Sequence, residues 1–248
     1  MKLISNILFI AIAMLGSASA SEKSVHWGYQ GAEGPEHWGE LSPDFSLCAD
    51  GRNQSPVDLT ADFDLELPEL LFQYHGTPVR ELNNGHTIML QVRPGNYLEI
   101  PELDQRFNFK QAHFHSPSEH TVDGRSFAME VHLVHANEDG ELAVVGIMFE
   151  EGAEDFMLNR IWSFMPENEG ETTESPLTVF EAGVLPPTRE YFRYNGSLTT
   201  PPCSEGVTWM ILKQHMTASA DQISRFQQRI GSLTNRPVQP HNARLILN

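Results

Sequence analysis

Cysteine is nearly absent. The 248 residues hold only Cys48 and Cys203, too few and too far apart for a closed, thiolate-built structural metal site. Positive charge is also scarce. Lysines and arginines number 16 against 33 aspartates and glutamates, giving a formal charge of −17. So acidic a chain lacks the clustered cations that bind nucleic acid or draw a protein to anionic lipid. After the first twenty residues no stretch approaches the run of about eighteen apolar residues that a membrane helix needs. Internal repeats and long low-complexity tracts are missing too.

What is there begins with "MKLISNILFIAIAMLGSASA", which reads as a secretory signal. Lys2 supplies the charged start, Ile7 to Leu15 the apolar centre, and Ala18-Ser19-Ala20 a small-residue cleavage site. Residues 1–20 are therefore expected to be a signal peptide and residues 21–248 one domain, exported to the periplasm or secreted. In such a compartment an even pair of cysteines points to a disulfide between Cys48 and Cys203.

Residues 21–59 are rich in Gly, Pro and Trp without sustained periodicity, and read as turns wrapped over a core. From Leu70 to Phe149 the pattern is strand after strand. "HTIMLQV", "NYLEI", "FNFKQAHFH", "AMEVHLVHA" and "LAVVGIMF" are separated by Asn-Gly, Pro-Gly and Asp-Gly turn signals, which predicts a largely antiparallel sheet. Helical period occurs over 154–165 and again over 219–231, where Ile223, Phe226 and Ile230 form a core-facing stripe and Gly231 a stop.

In "QAHFHSPSEH" the alternation of a strand puts His113 and His115 on one face. In "MEVHLVHAN" it puts Glu130, His132 and Val134 together. If the two strands are neighbours, three neutral imidazoles meet at one point. Three histidines with a fourth position left for water describe a catalytic zinc site. Metal-bound imidazoles turn their other nitrogen to a fixed acceptor, and Gln111 and Glu130 are spaced to serve.

The runs "NQSPVDL", "LNNGH", "QAHFHSPSEHTVDG", "MEVHLVH" and "YNGSLTTPPCSEGVTW" resemble the α-class carbonic anhydrases, with similarity from about His26 to Arg236. The signal sequence on an acidic chain resembles the exported bacterial branch. The resemblance implies a mainly β (α+β) single domain on a central twisted, mostly antiparallel sheet of about ten strands with a few peripheral helices. It implies Zn²⁺ on His113, His115 and His132, and reversible hydration of CO₂ to bicarbonate by hydroxide on that zinc.

By the same resemblance Thr199 accepts a hydrogen bond from the nucleophile and donates to Glu119, while His86 in "LNNGH" shuttles protons. Val134, Val144, Leu198, Val207 and Trp209 line an apolar CO₂ pocket, and Thr200 meets bicarbonate or solvent. Met89 departs from the pattern, standing where relatives commonly carry an amide that orders the shuttle's water; Asn84 is the candidate to anchor part of that chain. His26, His37, His75, His120, His135, His215 and His241 are assigned to structure or surface, His120 and His135 because strand parity turns them away. The partners implied are CO₂ and bicarbonate, without nucleic acid or membrane, for a monomer or homodimer. The rival reading is a non-catalytic binding module on the same fold, and ester cleavage is a side activity open to the same hydroxide. The presence of all three histidines with Thr199 and Glu119 speaks against the module.

Overall fold

The computed structural model describes residues 25–248 apart from residues 61, 62, 64, 181, 182, 184 and 232, so the expected signal peptide lies outside the described residues. The strands are β1 (Asp58–Leu59), β2 (Leu71–Gln73), β3 (His75–Asn83), β4 (Ile88–Val92), β5 (Tyr97–Ile100), β6 (Gln105–His115), β7 (Thr121–Val122), β8 (Met129–Ala136), β9 (Leu142–Glu151), β10 (Thr172–Phe180), β11 (Tyr191–Ser197), β12 (Glu205–Leu212) and β13 (Met216–Ala218). All but β1 and β7 join one 11-stranded sheet in the order β10-β3-β4-β6-β8-β9-β12-β11, with β5 also on β6, β2 on β5 and β13 on β9. Within that sheet pairing is antiparallel except where β12 and β13 meet β9, and the separate β1–β7 pair is parallel. The mainly β, mostly antiparallel expectation holds, with 11 strands for about ten.

The central strands are buried on both faces, so they read as apolar runs with polar residues only where the site needs them. Val131, Leu133, Val145, Ile147, Met210 and Leu212 enter one core. Their alternates Val144, Met148, Val207, Trp209 and Ile211 enter a second, with Val134 packed against it. The first core is covered by two helices. Counting the short N-terminal turns α1 (Trp38–Leu41) and α2 (Leu47–Asp50), these are α3 (Phe156–Trp162) and α4 (Ala220–Ile230). Asp155 caps α3 by accepting from the Leu158 N–H, which starts the helix at Phe156, and Ser163 ends it, so it is shorter at both ends than its period suggests. In α4, Ser219 and Gln222 form a capping box and Gly231 closes the end at φ 76°, a left-handed conformation glycine adopts freely. Ile223 and Phe226 face the core, and Phe226 stacks on Trp162 of α3 at 5.6 Å.

The N-terminal wrap is tied down by the Cys48–Cys203 disulfide, which packs with Trp38. Arg236, 2% exposed, holds the same region: its guanidinium donates to Gln54 Oε1 and the carbonyls of Ser55 and Cys48.

Candidate metal centre

The β6–β8 register sets His113 directly opposite His132, and His115 lies two residues along β6 on the same face. The three rings are 4.6 to 5.1 Å apart between centroids. Each has one nitrogen already engaged. His113 Nδ1 is 2.8 Å from Gln111 Oε1, His115 Nδ1 is 2.5 Å from the Thr234 carbonyl, and His132 Nε2 is 2.8 Å from Glu130 Oε1. That leaves Nε2 of His113, Nε2 of His115 and Nδ1 of His132 as ligand atoms. The donor atoms of this trio converge within 4.8 Å of one another. Burial lowers the pKa of all three, His115 to about 4, so they stand neutral with lone pairs available.

Two buried polar atoms at this point, His115 Nε2 and Glu119 Oε2, complete no hydrogen bond of ordinary geometry, although they lie 3.4 Å apart. Such orphans are costly unless another group fills the gap, and a divalent cation bound by the imidazoles answers the first. The residues present therefore fit a metal ion. Glu130 is the anchor of the arrangement. Burial alone would raise it, yet His120 and His132 and their hydrogen bonds hold it well below the ordinary carboxylate range. Gly146 stands opposite His132 on β9, and a Cβ there would lie 2.6 Å from Ile211 Cδ1 and 3.0 Å from Glu130 Oε1.

Glu119 Oε1 accepts the Arg236 N–H at 2.9 Å. Burial pushes this acid up to about 7, while His132, that N–H and the neighbouring Thr199 hydroxyl pull it down. Thr199 and Thr200 sit in the loop between β11 and β12, closed by Leu198 N–H to the Ser204 carbonyl and Cys203 N–H to the Thr200 carbonyl. Thr199 is buried and Thr200 half-buried. Val144, Val207 and Trp209 share one apolar cluster with Val134 and Leu198 against it, and the Trp209 ring is 4.8 Å from His132.

His86 lies half-buried in the β3–β4 turn and stacks on Trp27. Burial and His26 lower its pKa while Glu169 raises it. Met89 sits on β4 directly across from His113. The Asn84 side-chain carbonyl oxygen accepts the N–H groups of His86 and Thr87, which leaves its amide nitrogen as the group that could meet water. One expectation is corrected at His120. It lies in a bend after β6, where strand parity does not apply, and its Nδ1 is 2.8 Å from Glu130 Oε1. His135 does turn away, to the Tyr74 hydroxyl at 2.7 Å. Thr234 and Arg236 act through backbone groups that carry no signature in sequence; His120 was in plain view and its loop placement was not.

Fold and site together present a three-histidine cluster suited to one metal ion, carried on adjacent strands with an apolar wall beside it. The eukaryotic-type carbonic anhydrase family model matches residues 33–248, and the chain belongs to that family. It is 42% identical over 241 residues to a carbonic anhydrase of Pectobacterium carotovorum, covering 96% of this chain and 97% of that one. The α-carbonic anhydrase of Thermovibrio ammonificans, solved with sulfanilamide, superposes with a TM-score of 0.88 at 41% identity over 91% of this chain and all of the other. A hyperthermostable carbonic anhydrase from a hydrothermal vent chimney gives a TM-score of 0.86 at 44% identity, over 90% of this chain and 99% of that one.

Proposed function

We propose that this carbonic anhydrase hydrates CO₂ reversibly to bicarbonate at a zinc ion held by His113 Nε2, His115 Nε2 and His132 Nδ1. The observation that carries the reading is the convergence of those three nitrogens, each left over after its partner nitrogen is engaged. Zinc bound there supplies Lewis-acid activation of a water molecule as the nucleophile. Gln111, the Thr234 carbonyl and Glu130 fix which nitrogen of each ring is bare.

Glu119, when ionised, accepts only, so Thr199 Oγ1 donates to it and can receive only from the attacking water. The water's lone pair is thereby aimed at the CO₂ carbon. Arg236 N–H steadies Glu119 from the far side. Val134, Val144, Leu198, Val207 and Trp209 offer CO₂, which has no charge, an apolar berth. Thr200 meets bicarbonate as it forms. His86 carries the released proton from the site to solvent, and its place in an outer turn beside Trp27 and His26 suits that task.

Residues 1–20 act as the signal peptide and 21–248 as the catalytic domain, in the periplasm or secreted. The disulfide supports that compartment. Stopped-flow CO₂ hydration, with and without a chelator, tests the whole reading: zinc-dependent hydration is expected, and a pure protein without zinc or activity would leave the binding-module alternative.

A further inference from the structure

A line of hydrogen bonds runs from the Thr199 loop to the third imidazole, and its direction follows from counting protons. The ionised Glu130 carboxylate only accepts. Its Oε2 takes the N–H groups of Glu119 and His120, both at 2.9 Å, and its Oε1 takes His120 Nδ1 and His132 Nε2, both at 2.8 Å. His120 Nδ1 therefore carries a proton. Its Nε2 lies 2.6 Å from the Tyr194 hydroxyl, which is 2.8 Å from Ser55 Oγ.

At the other end, the Ser197 N–H donates to Ser55 Oγ at 3.0 Å and the Ser55 N–H donates to Ser197 Oγ at 2.9 Å. Ser197 Oγ gives its own proton to the Leu198 carbonyl at 2.7 Å. Ser55 Oγ thus keeps one proton, and Tyr194 is its remaining neighbour among the described residues. Were Tyr194 to donate to Ser55, that buried serine proton would have no acceptor, at a cost of about 1–3 kcal/mol. The chain accordingly points one way: Ser55 to Tyr194, Tyr194 to His120 Nε2, His120 Nδ1 to Glu130.

We propose that Tyr194 and His120 are positioning residues for His132. They hold Glu130 so that Nε2 of His132 keeps the proton and Nδ1 stays bare toward the metal, and they tie that choice to the loop bearing Thr199. The inference rests on the metal-site reading above. The backbone is shaped to admit the chain: a Cβ on Gly196 would collide with Ser55 Oγ and come within 2.7 Å of the Tyr194 ring.

Zinc-loaded proteins mixed with excess chelator report zinc release through a chromogenic dye, and ¹⁵N NMR of the metal-free proteins reports the His132 tautomer. Tyr194→Phe keeps the ring parallel to Trp209, at 6.3 Å and 7°. The expected results are faster zinc release in Tyr194→Phe, an acceleration of about tenfold in His120→Leu, and loss of the single Nε2–H tautomer of His132 in both. His120→Asn, which retains an N–H donor near the Nδ1 position, should recover most of the loss. Release within twofold of wild type in Tyr194→Phe and His120→Leu, with one tautomer kept, overturns the proposal. So does equal acceleration in His120→Leu and His120→Asn, since packing alone would then explain it. His132→Ala is the control: if it retains zinc as wild type does, the metal-site reading fails; if it alone loses zinc, only the positioning chain fails.

Discussion

Trp27 lies flat against His86, with ring centroids 3.8 Å apart and planes 9° apart. The stack holds the imidazole on the N-terminal wrap, where His26 is 6.4 Å away and the ring is partly open to solvent. His86→Ala should lower kcat in weak buffer by on the order of 10- to 100-fold and spare kcat/KM for CO₂. Added imidazole should restore the rate. Stopped-flow measurements across buffer concentration check this, and an equal fall in both parameters would make His86 a structural residue instead.

Gly146→Ala should loosen zinc although it touches no ligand atom. The added Cβ meets Ile211 Cδ1 and Glu130 Oε1, so the side chains of Ile211 and Glu130 must give way. Competition with a chelator is expected to show affinity reduced about 10- to 100-fold, and urea unfolding a loss of about 1–3 kcal/mol. Unchanged affinity would mean that Glu130 tolerates displacement.

Replacing both Cys48 and Cys203 by serine should cost about 2–4 kcal/mol in urea unfolding. Since Gln54 Nε2 donates to the Cys203 carbonyl and to Glu205, part of the loop tie survives. Activity of the folded variant should therefore fall less than its stability; full inactivation with stability intact would reverse that order.

Glu81 is fully buried on β3, and neither carboxyl oxygen completes a hydrogen bond of ordinary geometry. Desolvation raises its pKa to about 8 although Ser175 works against the shift. Between about pH 4.5 and 8 the folded state keeps this proton and the unfolded state has lost it, so stability falls as pH rises through that window. The full effect is on the order of 5 kcal/mol above pH 8. Glu81→Gln should gain on wild type as pH rises from 5 to 9 in urea unfolding. A constant difference across that range would show that Glu81 titrates normally.

The parts legible in sequence were those governed by local periodicity. Alternation put His113, His115 and Gln111 on one face and Glu130, His132 and Val134 on another, and the β6–β8 register joined them. Period and the Gly231 stop marked α4, whose Ser219 and Gly231 caps need no distant partner. Thr234 escaped notice because it acts through a carbonyl that any residue could supply, 119 positions from His115. His120 escaped because a bend follows β6, and a period of two predicts nothing beyond the strand's end. Gly146 carries no signal in the run "LAVVGIMF"; only the neighbouring strands reveal what its missing side chain avoids.

The strands that carry the imidazoles also carry, on alternate residues, the helix-covered core. The catalyst has no subdomain of its own that could melt first. Amide protons of β6, β8 and β9 should be among the slowest to exchange, released only by global opening. On heating, loss of hydration activity and loss of tertiary structure should follow one curve. Durability in hot or denaturing conditions is then a property of the entire molecule, and substitutions far from the imidazoles, at Glu81 for instance, would set how long the enzyme lasts.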